Sequence, residues 1–501
     1  MNYSDLFVLV VPETLVVITA FVVLLVDLAE MRQRPVRIRM LTGAVIAVVG
    51  CLVSFYWLSQ TGEPSKYFDG MLVIDPLTQL LKQIVLVMTV FTALMSIESS
   101  FTEHVGEYFF LILLATVGMM FLVSSENLLM IFVALELLSL SLYVLTAFNK
   151  QNVNSAEAAL KYFLFGGISA AFMLFGLSLV YGLSGEINLI RITDGLMKSP
   201  LDPLLVIALV MVLIGFGFKI AAVPFHLWAP DAYQGAPAPS AAFIASGSKV
   251  ASFFILAKVL LVGFGQQDGS GAWRHFLTGW IPLLAIIAAL SMLVGNLAAI
   301  AQSSVRRLLA YSAIAQAGYI LLGLLAKTPQ GMASLVFYIT TYALTVLGAF
   351  GVANIVQERT GEEKLSAFAG LSKRAPLLSF CMMIFMLSLA GIPPLAGFFG
   401  KFYLFASAIG GGKNLGLLWL VIFAIAMSAV SLYYYLQVLK QIYVSAAPAN
   451  APAIQSTVLT RLVIGSLALG VLVLGCAPGL FLQKIIPAIA AALPNIKVAG
   501  L

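Results

Sequence analysis

Four ionisable residues stand inside long apolar runs of this 501-residue chain. Glu136 lies in IFVALELLSLSLYVL, Lys219 in GFGFKIAAVPFHLW and Lys249 in AFIASGSKVASFFILAK. Lys401 follows the segment AGIPPLAGFFG. A charge at the centre of a bilayer costs about 2.5–3.5 kcal/mol on insertion scales, so such residues are candidates for a transport function. Amines near a carboxylate are suited to passing protons, whereas Na⁺ binding needs several oxygen ligands, and only one clear mid-run carboxylate is present.

The spacing of these residues predicts a central pair and two weaker candidates. We expect Glu136 and Lys219 to form an ion pair, because pairing eases the burial of both groups. The alternative is a carboxylate that only holds helices together. Lys161, in AALKYFLFGGISAA, fits an anchor at the inner interface as well as a proton path. His226 follows Pro224 and fits a structural hydrogen bond to freed carbonyls as well as proton transfer.

Other lysines in apolar runs have a simpler explanation. Lys82 and Lys258 lie near predicted outer ends of membrane spans, where their long side chains would reach the interface by snorkelling. Snorkelling is also the alternative explanation for Lys401. Lys258 follows Lys249 by nine residues and therefore faces the opposite side of the same helix.

Composition places the chain in a membrane. It is 61% hydrophobic and 10% charged, and its mean hydropathy is +1.04; soluble domains carry about 25% charged residues. The net charge of +6 is dispersed along the chain, which argues against a nucleic-acid partner. The three cysteines have no CxxC spacing, and no glycine-rich nucleotide loop is present. We therefore expect no metal, no cofactor and no redox chemistry in this chain itself.

Hydropathy predicts an all-α polytopic membrane protein of about fourteen spans, since roughly 20 apolar residues cross a bilayer. The spans are near 6–28, 40–60, 76–96, 107–124, 127–147, 158–182, 203–235, 238–262, 277–301, 303–326, 329–357, 376–408, 415–440 and 458–482. Basic residues favour the inner loops, most strongly in MRQRPVRIRM at 31–40. This orientation puts both termini outside, and the N-terminal run lacks the basic start of a removable signal peptide.

Spans 7 and 12 are too long for simple crossings and are interrupted by proline, in AAVPFHLWAP and AGIPPLAGFFGK. Broken helices at corresponding positions are typical of transporters built from repeats. The two breaks are five spans apart, and an odd number of crossings inverts the second copy. We expect two inverted five-helix repeats, spans 4–8 and 9–13. The predicted divisions are an N-terminal flank at 1–106, repeats at 107–262 and 277–440, and a C-terminal helix and tail at 458–501.

The segment KIAAVPFHLWAPDAYQGAPAPSAAFIASGSK (219–249) resembles the signature of the antiporter-like subunits of respiratory complex I. MLSLAGIPPLAGFFGKFYLF (386–405) and RRLLAYSAIAQAGY (306–319) are similar to further segments of that family, and the similarity covers roughly residues 70–440. The absence of a long lateral helix after the bundle, and a lysine rather than a glutamate at position 401, favour one subunit type among the three.

This resemblance implies a proton-pumping membrane subunit of NADH–quinone oxidoreductase in a bacterial inner membrane. Flavin, Fe–S clusters and quinone would belong to partner subunits. It implies that Glu136 pairs with Lys219, that Lys249 and Lys401 continue the path, and that Lys161 is an accessory lysine. Two alternatives remain: a subunit of a multisubunit cation/proton antiporter, and a structural membrane subunit that does not pump. An independent solute transporter is a third, for which the sequence shows no distinctive binding pocket.

Overall fold

The computed structural model describes residues 9–60, 64–196, 202–273, 275–411, 415–447 and 453–492. Both chain termini, and with them the predicted position of the termini outside the membrane, lie outside these residues. Every predicted span corresponds to a helix or to a set of consecutive helices. The first six are Val11–Val26 with a π-helical extension Asp27–Met31, Val36–Gln60, Pro76–Ser96, Val105–Val123, Leu128–Thr146 and Val153–Ser184.

The later spans include the interrupted ones. Span 7 comprises Pro203–Ile220 and Trp228–Gly235, and span 8 comprises Ala238–Ala245, Gly247–Lys258 and the π-helix Val259–Gly263. Spans 9 to 11 are Trp280–Ile300, Val305–Leu325 and Pro329–Thr360; span 12 comprises Pro376–Ala390 and Ala396–Gly411; and spans 13 and 14 are Leu418–Tyr443 and Val458–Cys476. Within the described ranges, 13 helices are long and apolar enough to cross a membrane. Span 12 is not among them because its break leaves helices of 15 and 16 residues.

Left-handed backbone conformations end the helices at both predicted breaks. Ala221 (φ 57°) follows the first half of span 7, and Gly391 (φ 86°) follows the first half of span 12. Such residues close helix C-termini. Lys219 is the next-to-last residue of its half-helix, so it lies at the break itself. Span 8 has a third interruption that the sequence did not predict, at Ser246, whose φ of −115° and ψ of −85° separate two helices.

Helix lengths match between the two repeats. The third helix has 32 residues in each repeat, Val153–Ser184 in one and Pro329–Thr360 in the other. The fourth is broken in both, and the fifth covers 26 residues in both, Ala238–Gly263 and Leu418–Tyr443. The predicted fold class, an all-α membrane protein with two inverted five-helix repeats, is confirmed.

Burial distinguishes central from peripheral spans. In spans 8, 10 and 11, 94% of the most apolar window is buried, against 28% in span 1 and 33% in spans 6 and 13. The central spans include the one that bears Lys249, while the outer faces of spans 1, 6 and 13 are left for lipid or for partner subunits.

Several small elements were missed by hydropathy. Two antiparallel hairpins, Ser65–Tyr67 with Leu72–Ile74 and Ser270–Ala272 with His275–Leu277, connect spans 2 to 3 and 8 to 9. A short helix, Leu189–Leu196, follows span 6. The helix Gly479–Ala492 occupies much of the predicted C-terminal tail. Residues 493–501 of that tail lie outside the described residues.

Candidate functional site

Lys219 is buried at the break of span 7 without a counter-ion in contact. Among the described residues, its Nζ has no hydrogen-bond partner, and it lies 5.7 Å from the ring centroid of Tyr143. A Cβ placed on Gly215, one turn earlier, would lie 2.5 Å from the Cβ of Met173 in span 6. Glycine at this position therefore allows spans 6 and 7 to approach closely.

Glu136 faces Lys219 from span 5 across a gap. The two groups interact electrostatically. Within the described ranges, however, no ion pair within 4.0 Å joins them. The carboxylate is half-buried, at the edge of the isolated chain. The two groups of the expected pair are therefore not in contact in this structure. A movement of either side chain would change how strongly the carboxylate stabilises the cation.

Lys249 lies one turn after the break at Ser246, and its side chain is held by a backbone carbonyl. It is 1% exposed, and its Nζ donates a hydrogen bond to the Ala313 carbonyl of span 10 at 2.9 Å. The ring of Tyr342 in span 11 lies 5.8 Å away. The amine thus points from the first repeat into the second.

Lys401 uses the carbonyl groups that the break in span 12 leaves free. Its Nζ donates to the carbonyls of Leu389 at 2.9 Å and Ala390 at 3.3 Å, and to the Ser428 hydroxyl at 2.9 Å. The residue is 4% exposed, so the snorkelling alternative is wrong for Lys401. A cavity of about 300 Å³ lies beside it, lined in part by Lys401 and Ser428, and is large enough for several water molecules.

Gln316 lies between Lys249 and Lys401, and it was not identified as a candidate from the sequence. It lies in span 10, one turn after Ala313, and is fully buried. Its Nε2 donates to the Leu389 carbonyl at 3.3 Å, the same oxygen that accepts from Lys401. Its Oε1 accepts from the Tyr338 hydroxyl. Gln316 therefore shares an acceptor with Lys401 and lies one turn along span 10 from the carbonyl that accepts from Lys249. A glutamine within RRLLAYSAIAQAGY, an otherwise apolar run, was the available signal.

Comparison with known proteins places this arrangement in a family. Residues 125–431, which include all six predicted site residues, match the family model described as NADH:quinone oxidoreductase/Mrp antiporter, transmembrane. The chain belongs to this family. A curated relative from Acidobacterium capsulatum, named NADH-quinone oxidoreductase subunit N 2, is 53% identical over 491 residues, covering 96% of this chain and 99% of the relative.

Solved structures agree with this membership of the NADH:quinone oxidoreductase/Mrp antiporter family. A chain of respiratory complex I from Thermus thermophilus is 34% identical, with a TM-score of 0.75 and coverage of 94% of this chain and 98% of that one. A chain of the Mrp complex from Dietzia sp. DQ12-45-1b, at 20% identity and a TM-score of 0.81, shares the fold; the match covers 97% of this chain and 98% of that one. The predicted resemblance to the antiporter-like subunits of complex I is confirmed.

Lys161 is not buried as Lys219, Lys249 and Lys401 are. Its side chain is 41% exposed, and its Nζ contacts Glu157 at 2.7 Å and Asp231 at 2.8 Å. Asp231 also binds Arg307 at 2.7 Å. The Asp231 carboxylate therefore has two cations in contact, Lys161 and Arg307. The cluster connects span 6, the second half of span 7 and span 10.

His226 lies in the connection that interrupts span 7. The side chain is buried, and its Nδ1 has no hydrogen-bond partner among the described residues. The expected alternative was a bond from this ring to freed carbonyls. The ring of His226 has a backbone hydrogen bond with Pro224, so the structural alternative stays open, and the indole of Trp228 donates from Nε1 to the Phe218 carbonyl at 3.0 Å.

Two lysines that were explained by snorkelling are buried in ion pairs, so that explanation is wrong. Lys82 is 3% exposed and its Nζ lies 2.6 Å from Glu13, a residue of span 1. Lys258 is 2% exposed and its Nζ lies 3.4 Å from Glu126, in the connection between spans 4 and 5. Neither carboxylate could be assigned as a partner from spacing, because each is distant in the chain.

Proposed function

We propose that this chain is the subunit N of a NADH–quinone oxidoreductase and that it moves protons across the membrane. The observation that carries the proposal is the row of buried amines at Lys219, Lys249 and Lys401, none of which contacts a carboxylate of the described residues. An ammonium group buried without a carboxylate is costly, and a site that tolerates the neutral amine as well can take up and release a proton. Gln316 supplies the polar connection between the second and third amines.

The path begins with the open pair. When Glu136 approaches Lys219, the cation is stabilised and the proton stays. When the carboxylate withdraws, Lys219 gives its proton to Lys249, and Gln316 and water in the cavity beside Lys401 support onward transfer. Energy released by electron transfer in partner subunits drives the movement of Glu136. His226, buried next to the break, is a further proton-transfer group near Lys219. Lys161 stabilises the end of the path where protons enter, by its ion pair with Asp231.

The chain does no redox chemistry in this proposal. NADH oxidation and quinone reduction take place in partner subunits, which hold the flavin, the Fe–S clusters and the quinone. The protein lies in a bacterial inner membrane with both termini outside, an orientation supported by the excess of basic residues in the opposite loops. Residues 1–106, 107–262, 277–440 and 458–501 form the flank, the two repeats and the C-terminal part.

The test is Lys219→Ala in the assembled complex, reconstituted in proteoliposomes. We expect NADH:quinone turnover and proton ejection to fall together while the partner subunits still co-purify. Lys150→Ala, which removes an exposed lysine from the connection after span 5, is the matched control and should be normal. Normal proton ejection by assembled Lys219→Ala complex would overturn the proposal. Sodium transport without a co-purifying NADH dehydrogenase would instead identify a cation/proton antiporter.

A further inference from the structure

Lys258, Glu126 and Lys66 form a charged cluster on the side of the first repeat that lies away from the proposed path. Glu126 is 2% exposed; its Oε1 lies 3.4 Å from Lys258 Nζ, and its Oε2 accepts a hydrogen bond from Lys66 Nζ at 2.7 Å. Lys66 belongs to the first hairpin and its side chain is 47% exposed, so it closes the cluster toward the surface. Asp75, at the start of span 3, adds to the field at Lys258.

Backbone hydrogen bonds fix the carboxylate in place. The N–H of Glu126 donates to the Gly70 carbonyl at 2.7 Å, and its carbonyl accepts from the N–H of Leu189 at 2.9 Å. Burial alone would raise the pKa of Glu126, but Lys258 and Lys66 hold that pKa below its ordinary value. The carboxylate therefore stays charged and keeps a counter-charge beside Lys258.

Lys258 is placed between the path and the surface. It lies on the same helix as Lys249, about 13 Å further along at 1.5 Å per residue. Lys249 points to span 10, whereas Lys258 points to the connection between spans 4 and 5.

The geometry favours a barrier over a relay. A relay needs a chain of hydrogen bonds to the path, but the Nζ of Lys258 contacts Glu126 at 3.4 Å, and no hydrogen bond among the described residues links it to Lys249, whose Nζ donates to Ala313. The cavity of about 300 Å³ beside Lys401, and another of about 400 Å³ that includes Arg306 and Glu358, are not lined by Lys258 or Glu126. Fixed cations exclude protons from other membrane pores in the same way.

We propose that Lys258, held by Glu126, is an electrostatic barrier that closes the outer end of the first repeat to protons. Protons that reach Lys249 then leave only through the second repeat, by way of Lys401. Lys258 is a positioning residue in this view and carries no proton itself. The inference rests on the proposed proton-pumping function, because a barrier has a purpose only beside a proton path.

The test measures passive proton leak in proteoliposomes that contain the whole complex, without NADH, from the decay of an imposed pH gradient. For Lys258→Met we expect leak through the complex to rise on the order of tenfold, the effect of a unit charge about 10 Å away at an effective dielectric constant of about 20. Lys258→Arg keeps the cation and the ion pair, so it should remain tight and pump normally. Where Lys258→Met impairs assembly, Lys258→Gln also removes the cation and keeps a polar side chain beside Glu126, which still pairs with Lys66.

The matched control is Glu13→Gln/Lys82→Met, which removes an equally buried ion pair from the flank and should remain tight. Equal leak in this control and in Lys258→Met would mean that loosened packing is responsible, and the barrier would be rejected. A tight Lys258→Met complex would reject it as well. So would Lys258→Arg complex that is tight but no longer pumps, since the lysine would then carry protons. Failure of the unmodified complex to pump with NADH would overturn the proposed function, separately from any leak.

Discussion

Replacing Gln316 by leucine tests the connection between the two repeats. The side chain is fully buried and makes three hydrogen bonds: it donates to the Leu389 carbonyl and the Tyr435 hydroxyl and accepts from the Tyr338 hydroxyl. Leucine has a similar size but no polar atoms. The substitution therefore interrupts the polar groups between Lys249 and Lys401 while largely keeping the packing.

The cost to stability follows from which groups lose their last partner. The Leu389 carbonyl still accepts from Lys401, and the Tyr435 hydroxyl still bonds Ser312. Only the Tyr338 hydroxyl, buried in span 11, loses its bond to Gln316 without a replacement in the described part of the chain. One unsatisfied buried polar group costs about 1–3 kcal/mol. We therefore expect an assembled complex of moderately lower thermal stability.

The cost to function should be larger. A positioned group that assists proton transfer contributes roughly 100-fold or more to the rate. Gln316→Leu should therefore lower the rate of NADH-driven proton ejection to a small fraction of the wild-type rate. The assay is the initial rate of acidification or alkalinisation in proteoliposomes, measured beside NADH oxidation. Gln316→His, which can donate and accept, should retain much of the activity. Gln330→Leu, the same change at an exposed position in the first turn of span 11, is the control.

A wild-type rate of NADH-driven proton ejection by an assembled Gln316→Leu complex would refute the reasoning. It would mean that protons pass from Lys249 to the second repeat by another route, or that they do not pass between these two lysines at all.

Three further outcomes are expected. Lys401→Met should nearly abolish proton ejection with the complex intact, measured in the same proteoliposomes; normal ejection would remove Lys401 from the path. Lys161→Met should lower ejection only a few-fold, because this half-exposed lysine holds Asp231 rather than filling a buried gap; complete loss would place it in the path itself. Glu126→Gln should destabilise the folded protein by about 3–5 kcal/mol at neutral pH, because it leaves Lys258 buried without its partner. The pKa of Glu126 is lowered on folding, so its contribution to stability is complete above the unfolded value of about 4.3 and is lost as the pH falls through the lower folded value. The melting temperature should therefore fall less steeply between pH 7 and pH 3 in the variant than in the wild type. Equal slopes would contradict this.

Much of the fold could be predicted from the sequence because a membrane restricts the choice. Backbone groups must be satisfied within each helix, so apolar runs of about 20 residues become spans and prolines mark the breaks. The break at Ser246 was missed because GSK carries no proline and its small residues also fit a continuous helix. The helix Gly479–Ala492 was missed in part because Pro487 lies inside it.

The candidate site could be predicted only as single residues. Lys219, Lys249 and Lys401 are conspicuous because charge is rare in apolar runs, but spacing along one chain does not show which carboxylate faces which amine. The ion pairs Glu13–Lys82 and Glu126–Lys258 join segments that are far apart in sequence. Lys82 and Lys258, which were expected to reach the membrane interface by snorkelling, therefore have buried carboxylate partners.

The contrast between these closed pairs and the open one at Glu136 supports the assignment of roles. Lys82 and Lys258 have carboxylates in contact at 2.6 and 3.4 Å, so both amines are fixed by ion pairs. Lys219 has an electrostatic partner but no hydrogen bond within the described residues. A permanently paired amine is suited to structure or exclusion, because releasing its proton would strand a buried carboxylate. An amine whose carboxylate partner is not in contact is suited to proton exchange. The same residue type thus performs two tasks in one bundle, and the distance to the carboxylate distinguishes them.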